Sequence, residues 1–496
     1  MTDRSNMRRP RAGPRGRVGA RGGCATGTAY RALMRIELSS VISHRLEDVV
    51  AWHQRPGALV RMIPPALGSV EDPRQGGIED GTRVRTRLGP AQLGRIRPEW
   101  TLEHCDVTQT PTSFSFVDAQ VTGPFRAWRH HHHMEQTDDG ANTRLQETID
   151  LRLPRGAGIG ERIAAGQVRR MLDFRAAQLE QDLDLHRRLA GAPRLTVAVA
   201  GASGLIGTQL TALLSTGGHR VLRMVRGRRA GEGEIAWDPA AGVLDPSDLE
   251  GVDAVVNLAG RSIATRMTAR AKHEILASRT SSSGLIARTL AQLARSGSGP
   301  RILVQASGIG YYGARRPGEL LTEDSAPGED VLANVCRAWE EQMAPAAQAG
   351  VRTCAVRTGI VLTDAGGALA PQLPLFLAGV GGPLTSRDAA ISWITLDDMA
   401  RSYVHALLTD ALDGPVNAVA PQPTTAGELA RTLGRVLHRP SAVPVPPLGP
   451  RLVLGREGAR AIVETDQRVS DEHLRASGFQ AAHPELEGAL RHVLRR

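Results

Sequence analysis

Apolar and polar positions follow two different rhythms along this chain, and the rhythm changes near residue 190. From Met34 to about Ala190 the dominant pattern is alternation, the signature of strands with one buried face. It predicts strands at 35–42, 82–88, 100–105, 113–121, 126–135 and 143–151, with a short helix at 46–53 after the first. A long stretch of helical period, 160–189, closes the segment and offers Ile163, Val168, Met171, Leu172, Leu179, Leu183 and Leu185 as an apolar face. Strand, helix, meander and long final helix predict a curved antiparallel sheet gripping that helix around a cavity.

Beyond Arg194 the apolar residues gather into short continuous runs, as expected of parallel strands buried on both faces. The runs are 195–200, 220–225, 252–257, 301–307 and 357–362, the last read as the final long parallel strand. Segments of helical period lie between them at 205–214, 271–293 and 331–349. Strands alternating with helices predict a doubly wound α/β sheet. From Pro421 to Arg496 come a helix at 426–437, a Pro-rich extended stretch at 440–450 and further helical pieces. Open α/β sheets bind ligands outside the carboxyl ends of their strands, so a small appended α+β domain there is expected to act as a lid. The expected division is therefore 34–190, 194–420 and 421–496. The join at 190–194 is short enough that the first two units must pack or nearly touch.

The richest chemistry lies where the 195–200 run empties into Gly201, Gly204 and Gly207. Such a turn needs one glycine for its tightness, one for close approach of backbone N–H groups to a pyrophosphate, and one for helix-to-sheet packing. With Ser203, Leu205 and Ile206, these glycines are the expected dinucleotide cradle at a helix N-terminus. The next strand ends at Arg226, followed by Arg228 and Arg229, with no carboxylate before Glu232. An acidic residue there favours NAD, a basic one the 2′-phosphate, so NADP(H) is expected, with NAD(H) as the alternative. Asn257, Ala259 and Gly260 at the end of a further strand, and Arg279 on the following helix, complete the expected cofactor set.

Gly201-Ala-Ser-Gly-Leu-Ile-Gly207, Asn257-Leu-Ala-Gly260, Ser278-Arg279, Ser307-Gly-Ile-Gly-Tyr-Tyr-Gly313, Trp339-Glu-Glu341, Arg357-Thr-Gly-Ile-Val-Leu362, Gly381-Gly-Pro383, Ser392-Trp-Ile394 and Asp397-Asp398 stand in one consistent order over about 194–491. Together they resemble the atypical extended short-chain dehydrogenase/reductase group, NAD-dependent epimerase-like proteins with a small C-terminal domain of unknown function. The resemblance implies a Rossmann fold and an oxidoreductase or epimerase. Some of its members carry a cell-division-inhibitor label. Trp52-His53, Arg55-Pro-Gly57, Asp80-Gly-Thr82, Gly123-Pro-Phe125 and Trp128-Arg-His130 resemble the START/polyketide-cyclase-like superfamily. That likeness implies a helix-grip domain whose cavity binds an apolar ligand.

Short-chain dehydrogenases usually place a catalytic Tyr four residues before a Lys. This chain has four tyrosines and one lysine, Lys272, and none has that spacing. Alignment on Trp339-Glu340 puts Leu332 and Cys336 at the two positions. Ser307, Tyr311 and Tyr312 remain as candidate catalytic residues, with aromatic packing as the competing role for the tyrosines. After Gly-Gly-Pro383 the second glycine-rich turn usual in relatives is replaced by Leu384-Thr-Ser-Arg-Asp388, a departure in the substrate region. Asp397 and Asp398 read as helix caps. On a strand only two of His130, His131, His132 and His133 share a face, and zinc needs three or four ligands, so no metal is expected.

Charge changes the picture little. Of the formal +10, residues 1–33 account for seven, with eight arginines against Asp3, so the remainder is nearly neutral and no nucleic-acid partner is expected. Those residues form no core and no export signal, and read either as a disordered basic arm or, preferably, as translated upstream sequence with the start at Met34. Cys24, Cys105, Cys336 and Cys354 are scattered, and no apolar run reaches the ~20 residues that span a bilayer. A reduced, cytoplasmic setting without a membrane is the expectation. Two function classes follow: an NADP(H)-dependent oxidoreductase or epimerase on a small polar or nucleotide-linked substrate, or a protein that senses NADPH without turnover.

Overall fold

The structure is a computed structural model that describes residues 34–72, 74, 76–137, 139–153, 158–227, 230–443 and 448–496. The expectations for residues 1–33 and for Arg228 and Arg229 lie outside the described residues.

The alternating segment forms β1 (Met34–Ile42), α1 (Leu46–Gln54), α2 (Ala58–Met62), β2 (Gly68–Val70), β3 (Arg83–Leu88), β4 (Glu99–Gln109), β5 (Ser113–Thr122), β6 (Ala127–Gln136), β7 (Thr143–Arg152) and α3 (Gly158–Arg188). Its strands make one antiparallel sheet in the order β1-β7-β6-β5-β4-β3-β2. Leu179 and Leu183 of α3 pack with Val49, Trp52, Met62, Phe114 and Phe116, while Leu172 joins Trp128 and Ile149 in a second cluster. The early part of the expected apolar face of α3 differs, because Ile163 is exposed. The short α2 was not legible as a helix; its N-cap is Gly57, whose φ of +91° suits glycine.

The second unit is an eight-stranded sheet, order β11-β10-β9-β8-β12-β13-β15-β19, parallel except for β11. In chain order it comprises β8 (Thr196–Ala200), α4 (Leu205–Thr216), β9 (Arg220–Arg226), β10 (Glu234–Asp238), β11 (Val243–Leu244), β12 (Ala254–Asn257), α5 (Ala269–Arg295), β13 (Ile302–Gly308), β14 (Arg315–Leu321), α6 (Val331–Glu341), α7 (Ala344–Gln348), β15 (Arg352–Thr358), β16 (Ile360–Leu362), α8 (Leu373–Leu377), β17 (Ala390–Ile391), β18 (Trp393–Thr395), α9 (Leu396–Leu408) and β19 (Gly414–Ala418). Two expectations are corrected. The helix expected at 331–349 is two, because Pro345 supplies no N–H to bond back into α6. The run 357–362 is not the final parallel strand. β15 ends at Thr358, and at Gly359, where a methyl group would lie 2.9 Å from Val419 Cγ1, the chain leaves the sheet so that β16 can pair with β18. The edge is β19, Gly-Pro-Val-Asn-Ala, too polar to read as a buried strand.

The C-terminal region is β20 (Thr424–Thr425), α10 (Ala426–Leu437), α11 (Leu448–Ile462), β21 (Asp466–Val469), α12 (Glu472–Ala476) and α13 (Leu486–Leu494). Of the extended stretch expected at 440–450, residues 448–450 are the start of α11 instead, and 444–447 lie outside the described residues. Leu433, Val436 and Leu437 of α10 pack on Leu490 and Val493 of α13 and on Trp393, and β21 pairs parallel with β14.

The two large units are joined by a buried ionic cluster. Arg61 of α2 donates to both Asp182 oxygens at 2.9 Å, to Gln209 Oε1 of α4 at 2.7 Å, and lies 2.8 Å from Asp397 Oδ1 of α9. Arg401 of α9 reaches Asp182 Oδ1 at 3.1 Å, and His492 of α13 meets Asp397 Oδ2 at 3.1 Å. Asp397 and Asp398 are therefore not simple caps. The cap of α9 is Thr395, whose Oγ1 accepts from the Asp398 amide. The Asp398 carboxylate takes the amides of Ala482 and His483.

Candidate active site

β8 delivers the chain to Gly201, which turns with φ +79°. A Cβ at Gly201 would lie 2.8 Å from the Leu258 carbonyl carbon, and one at Gly207 would overlap the Gly201 carbonyl oxygen. Gly204 sits at the N-cap of α4 and offers no capping side chain, so the positive end of the helix opens onto a groove. This groove of about 520 Å³ runs past Gly201, Ser203, Gly204, Arg226, Ala259 and Gly260, and also past Arg223, Met224 and Glu234. A cradle that any Cβ would fill, at an uncapped helix N-terminus, fits a dinucleotide pyrophosphate.

The other expected cofactor residues take different places. Leu205 is half-exposed, whereas Ile206 packs against the sheet core. Asn257 is fully buried; its Oδ1 accepts from the Ala259 amide at 3.1 Å and its Nδ2 donates to Gln305. It shapes the groove wall from behind. Arg279 donates to the Arg261 and Ile275 carbonyls, with its guanidinium 4.9 Å over the Trp339 ring and against Gly260. Burial pushes the Arg223 guanidinium down, and Arg74 from the N-terminal unit adds to this.

At the carboxyl end of β13 the Ser307 hydroxyl donates to Glu340 Oε1 at 2.6 Å. Arg357 grips Glu340 with two bonds, Nε to Oε1 at 3.0 Å and Nη2 to Oε2 at 2.9 Å. Arg357 Nη1 also donates to the Tyr312 hydroxyl, which in turn donates to Asn417 Oδ1 at 2.7 Å. Tyr312 is fully buried, and burial pushes its phenol up to about 12. Tyr311 is only partly buried, and the Arg357 guanidinium carbon lies 3.5 Å from its ring centroid. Cys336, at the position of the usual lysine, is a buried neutral thiol pushed up to about 11, largely by desolvation. Its neighbour Leu332 is buried as well.

The structure thus brings Ser307 and Tyr311 together with Glu340 and Arg357, to which the sequence reading gave no role. Register carries the missing signal, because Ser307 and Arg357 are side by side on β13 and β15. The turn bearing both tyrosines is held from the C-terminal region: Gln467 of β21 donates to the Ile309 and Gly313 carbonyls at 2.9 and 2.6 Å. Among the described residues no helix is long and apolar enough to cross a membrane.

Residues 197–417 match the NAD dependent epimerase/dehydratase family, and 445–493 match a domain of unknown function, DUF1731. An epimerase family protein of Mycobacterium bovis is 37% identical over 301 residues, which are 60% of this chain and 98% of that protein. The human epimerase family protein SDR39U1 is 35% identical over 306 residues, 60% of this chain and all of its own length. Among solved structures, a nucleoside-diphosphate sugar epimerase from Corynebacterium glutamicum superposes with TM-score 0.76 at 28% identity, covering 92% of this chain and 90% of that one. Human SDR39U1 isoform 2 with NADPH superposes with TM-score 0.54 at 33% identity over 60% of this chain and 99% of its own. The bacterial likeness therefore extends over most of the N-terminal unit.

Proposed function

This chain belongs to the NAD dependent epimerase/dehydratase family, and we propose that within it Tyr311 moves the proton at the reacting substrate oxygen while Ser307 orients that oxygen. The protein is an NAD(P)-dependent enzyme of the epimerase/oxidoreductase type. When bound, the cofactor supplies hydride exchange at its nicotinamide. The protein supplies the proton path and the fixed charges. The observation that carries the reading is Arg357: it fixes Glu340, which fixes Ser307, and it lies over the Tyr311 ring. A cation thus stands beside the phenol although the usual lysine is absent. The buried, doubly bonded Tyr312 serves as the brace between Arg357 and Asn417.

For the substrate we take a nucleoside-diphosphate sugar, on the likeness to the Corynebacterium glutamicum protein. The test is incubation with a panel of nucleoside-diphosphate hexoses plus cofactor, read by NMR of the sugar ring. Appearance of an epimer or oxidised sugar is the expected result; no change in any of them, with cofactor bound, rejects the substrate class.

For the cofactor we take NADP(H), supported by Arg226 and Arg223 in the groove and by the NADPH in the human relative. Arg226→Asp is expected to weaken NADPH binding by about 10- to 100-fold, the worth of a charge-assisted hydrogen bond, with NADH little changed. Fluorescence titration of the two nucleotides measures this, and equal losses for both would refute a 2′-phosphate role.

The N-terminal unit, 34–190, we assign as a START/polyketide-cyclase-like helix-grip domain with an internal cavity. A seven-stranded antiparallel sheet around a 31-residue helix supports that assignment. Residues 194–420 are then the Rossmann domain. Residues 421–496, tied to the tyrosine turn through Gln467, are a lid.

A further inference from the structure

The concave face of the N-terminal sheet gathers titratable side chains into one block. β6 turns His130 and His132 inward, each 2% exposed, and His131 and His133 outward, each half-buried. Register supplies the rest: Asp118 on β5 lies opposite His130, His104 on β4 opposite Asp118, and Glu147 on β7 opposite His132. Directly opposite residues of an antiparallel pair share a face. The expectation of no metal counted ligands along β6 alone; the neighbouring strands add to them.

One ligand atom from each of Asp118, His130 and His132 lies within 4.8 Å of the others. Asp118 Oδ2 is 3.3 Å from His132 Nε2, close to the ~3.3 Å edge of a zinc tetrahedron with bonds of about 2.0 Å. His130 Nε2 is a buried nitrogen 3.2 Å from Glu147 Oε1, outside hydrogen-bond geometry. From α1, His53 donates Nδ1–H to the Val49 carbonyl at 2.8 Å, leaving the Nε2 lone pair bare. Glu147 Oε1 lies 3.2 Å from His130 Nε2, 3.6 Å from His132 Nδ1 and 4.0 Å from Arg175 Nε of α3. Asp118 faces imidazoles through both oxygens, Oδ2 toward His132 and Oδ1 held by His104 Nδ1 at 2.6 Å.

We propose that Asp118, His130 and His132 bind a divalent transition-metal ion of the zinc class, with a fourth position open to the neighbouring cavity. Two imidazoles and one carboxylate on rigid strands match the three-ligand sites that keep an open position. His104 orients the carboxylate from behind, and Phe116, stacked on His132 with ring centroids 4.2 Å apart, fixes the second imidazole. Of the three ligands Asp118 borders a cavity of about 70 Å³, which His53, His104, Phe116 and Arg175 also line, with room for a small oxygen ligand on the carboxylate side.

The test uses the full chain, purified through a histidine-free tag, loaded with Zn²⁺ and dialysed, with metal measured by mass spectrometry and the Co²⁺ form by visible absorption. The expected result is about one ion per chain and four-coordinate cobalt bands. Occupancy should fall roughly tenfold or more in His130→Ala, His132→Ala and the near-isosteric Asp118→Asn, while His133→Ala, on the opposite face, keeps its metal. Far-UV circular dichroism and cooperative denaturant unfolding report that the variants are folded. No retained metal in the wild type, equal occupancy in the ligand variants, or a six-coordinate cobalt spectrum overturns the proposal. The cobalt spectrum needs no variant, so the test stands even if a substitution prevents folding.

Discussion

Tyr311→Phe is expected to lower kcat by about 10²- to 10⁴-fold, the contribution of a positioned proton-transfer group, with NADPH affinity unchanged. The substitution removes one hydroxyl from a partly buried ring that makes no hydrogen bond through it to Arg357, Asn417 or Glu340. Fold and cofactor groove should therefore be untouched. Tyr312→Phe gives the contrast. It strips the bridge between Arg357 and Asn417, leaving buried polar groups unsatisfied, and should cost about 1–3 kcal/mol of stability with a smaller effect on kcat. Steady-state kinetics and denaturation of the two variants separate these roles. An unchanged rate in Tyr311→Phe would move the proton path to Ser307 and Glu340.

Arg61→Met is expected to destabilise the protein by about 3–5 kcal/mol, because it leaves buried carboxylates without their cation. Arg61 and Asp182 side chains are fully buried, and one guanidinium serves Asp182, Gln209 and Asp397 on three different helices. Arg401 still reaches Asp182 after the substitution, but Asp397 is left with imidazoles, His492 at 3.1 Å and His483 within 4.8 Å. Denaturant unfolding monitored over both domains measures the loss; a change below 1 kcal/mol would mean that the interface is held by apolar packing alone. The cluster also sets an acid limit. Burial would raise the Asp397 carboxyl, but Arg61 and His492 hold it well below the usual carboxylate range. Its contribution is thus complete above an unfolded pKa near 3.9 and is lost as pH falls toward the folded value. Asp397→Asn should flatten the loss of stability below about pH 4.

Strands β1, β3 to β9, β12 and β13, the glycine turn and α10 at 426–437 were legible because each rests on local periodicity or on a backbone conformation that only glycine adopts easily. The same local logic placed Gly201, Ser203, Gly204, Arg226, Ala259 and Gly260 along one groove. It failed where a residue's neighbours lie far along the chain. Asp397 reads as a cap next to a helix start, yet Arg61 and His492, from the two flanking units, claim it. β19, Gly-Pro-Val-Asn-Ala, carries no strand signal of its own, yet Cys354–Thr358 of β15 make it a strand.

By itself the sequence determined the class of each unit, their order and the dinucleotide turn, since periodicity and glycine placement are properties of consecutive residues. Only the tertiary structure decided which polar groups share a site. Adjacent Tyr311 and Tyr312 differ because Asn417, 105 residues from Tyr312, and Arg357 bury one hydroxyl and leave the other free of them. Asp118, His130 and His132 meet because two strands pair in one register. Contacts between distant residues depend on sheet register and domain packing, which the summed burial of whole elements sets and no local pattern encodes.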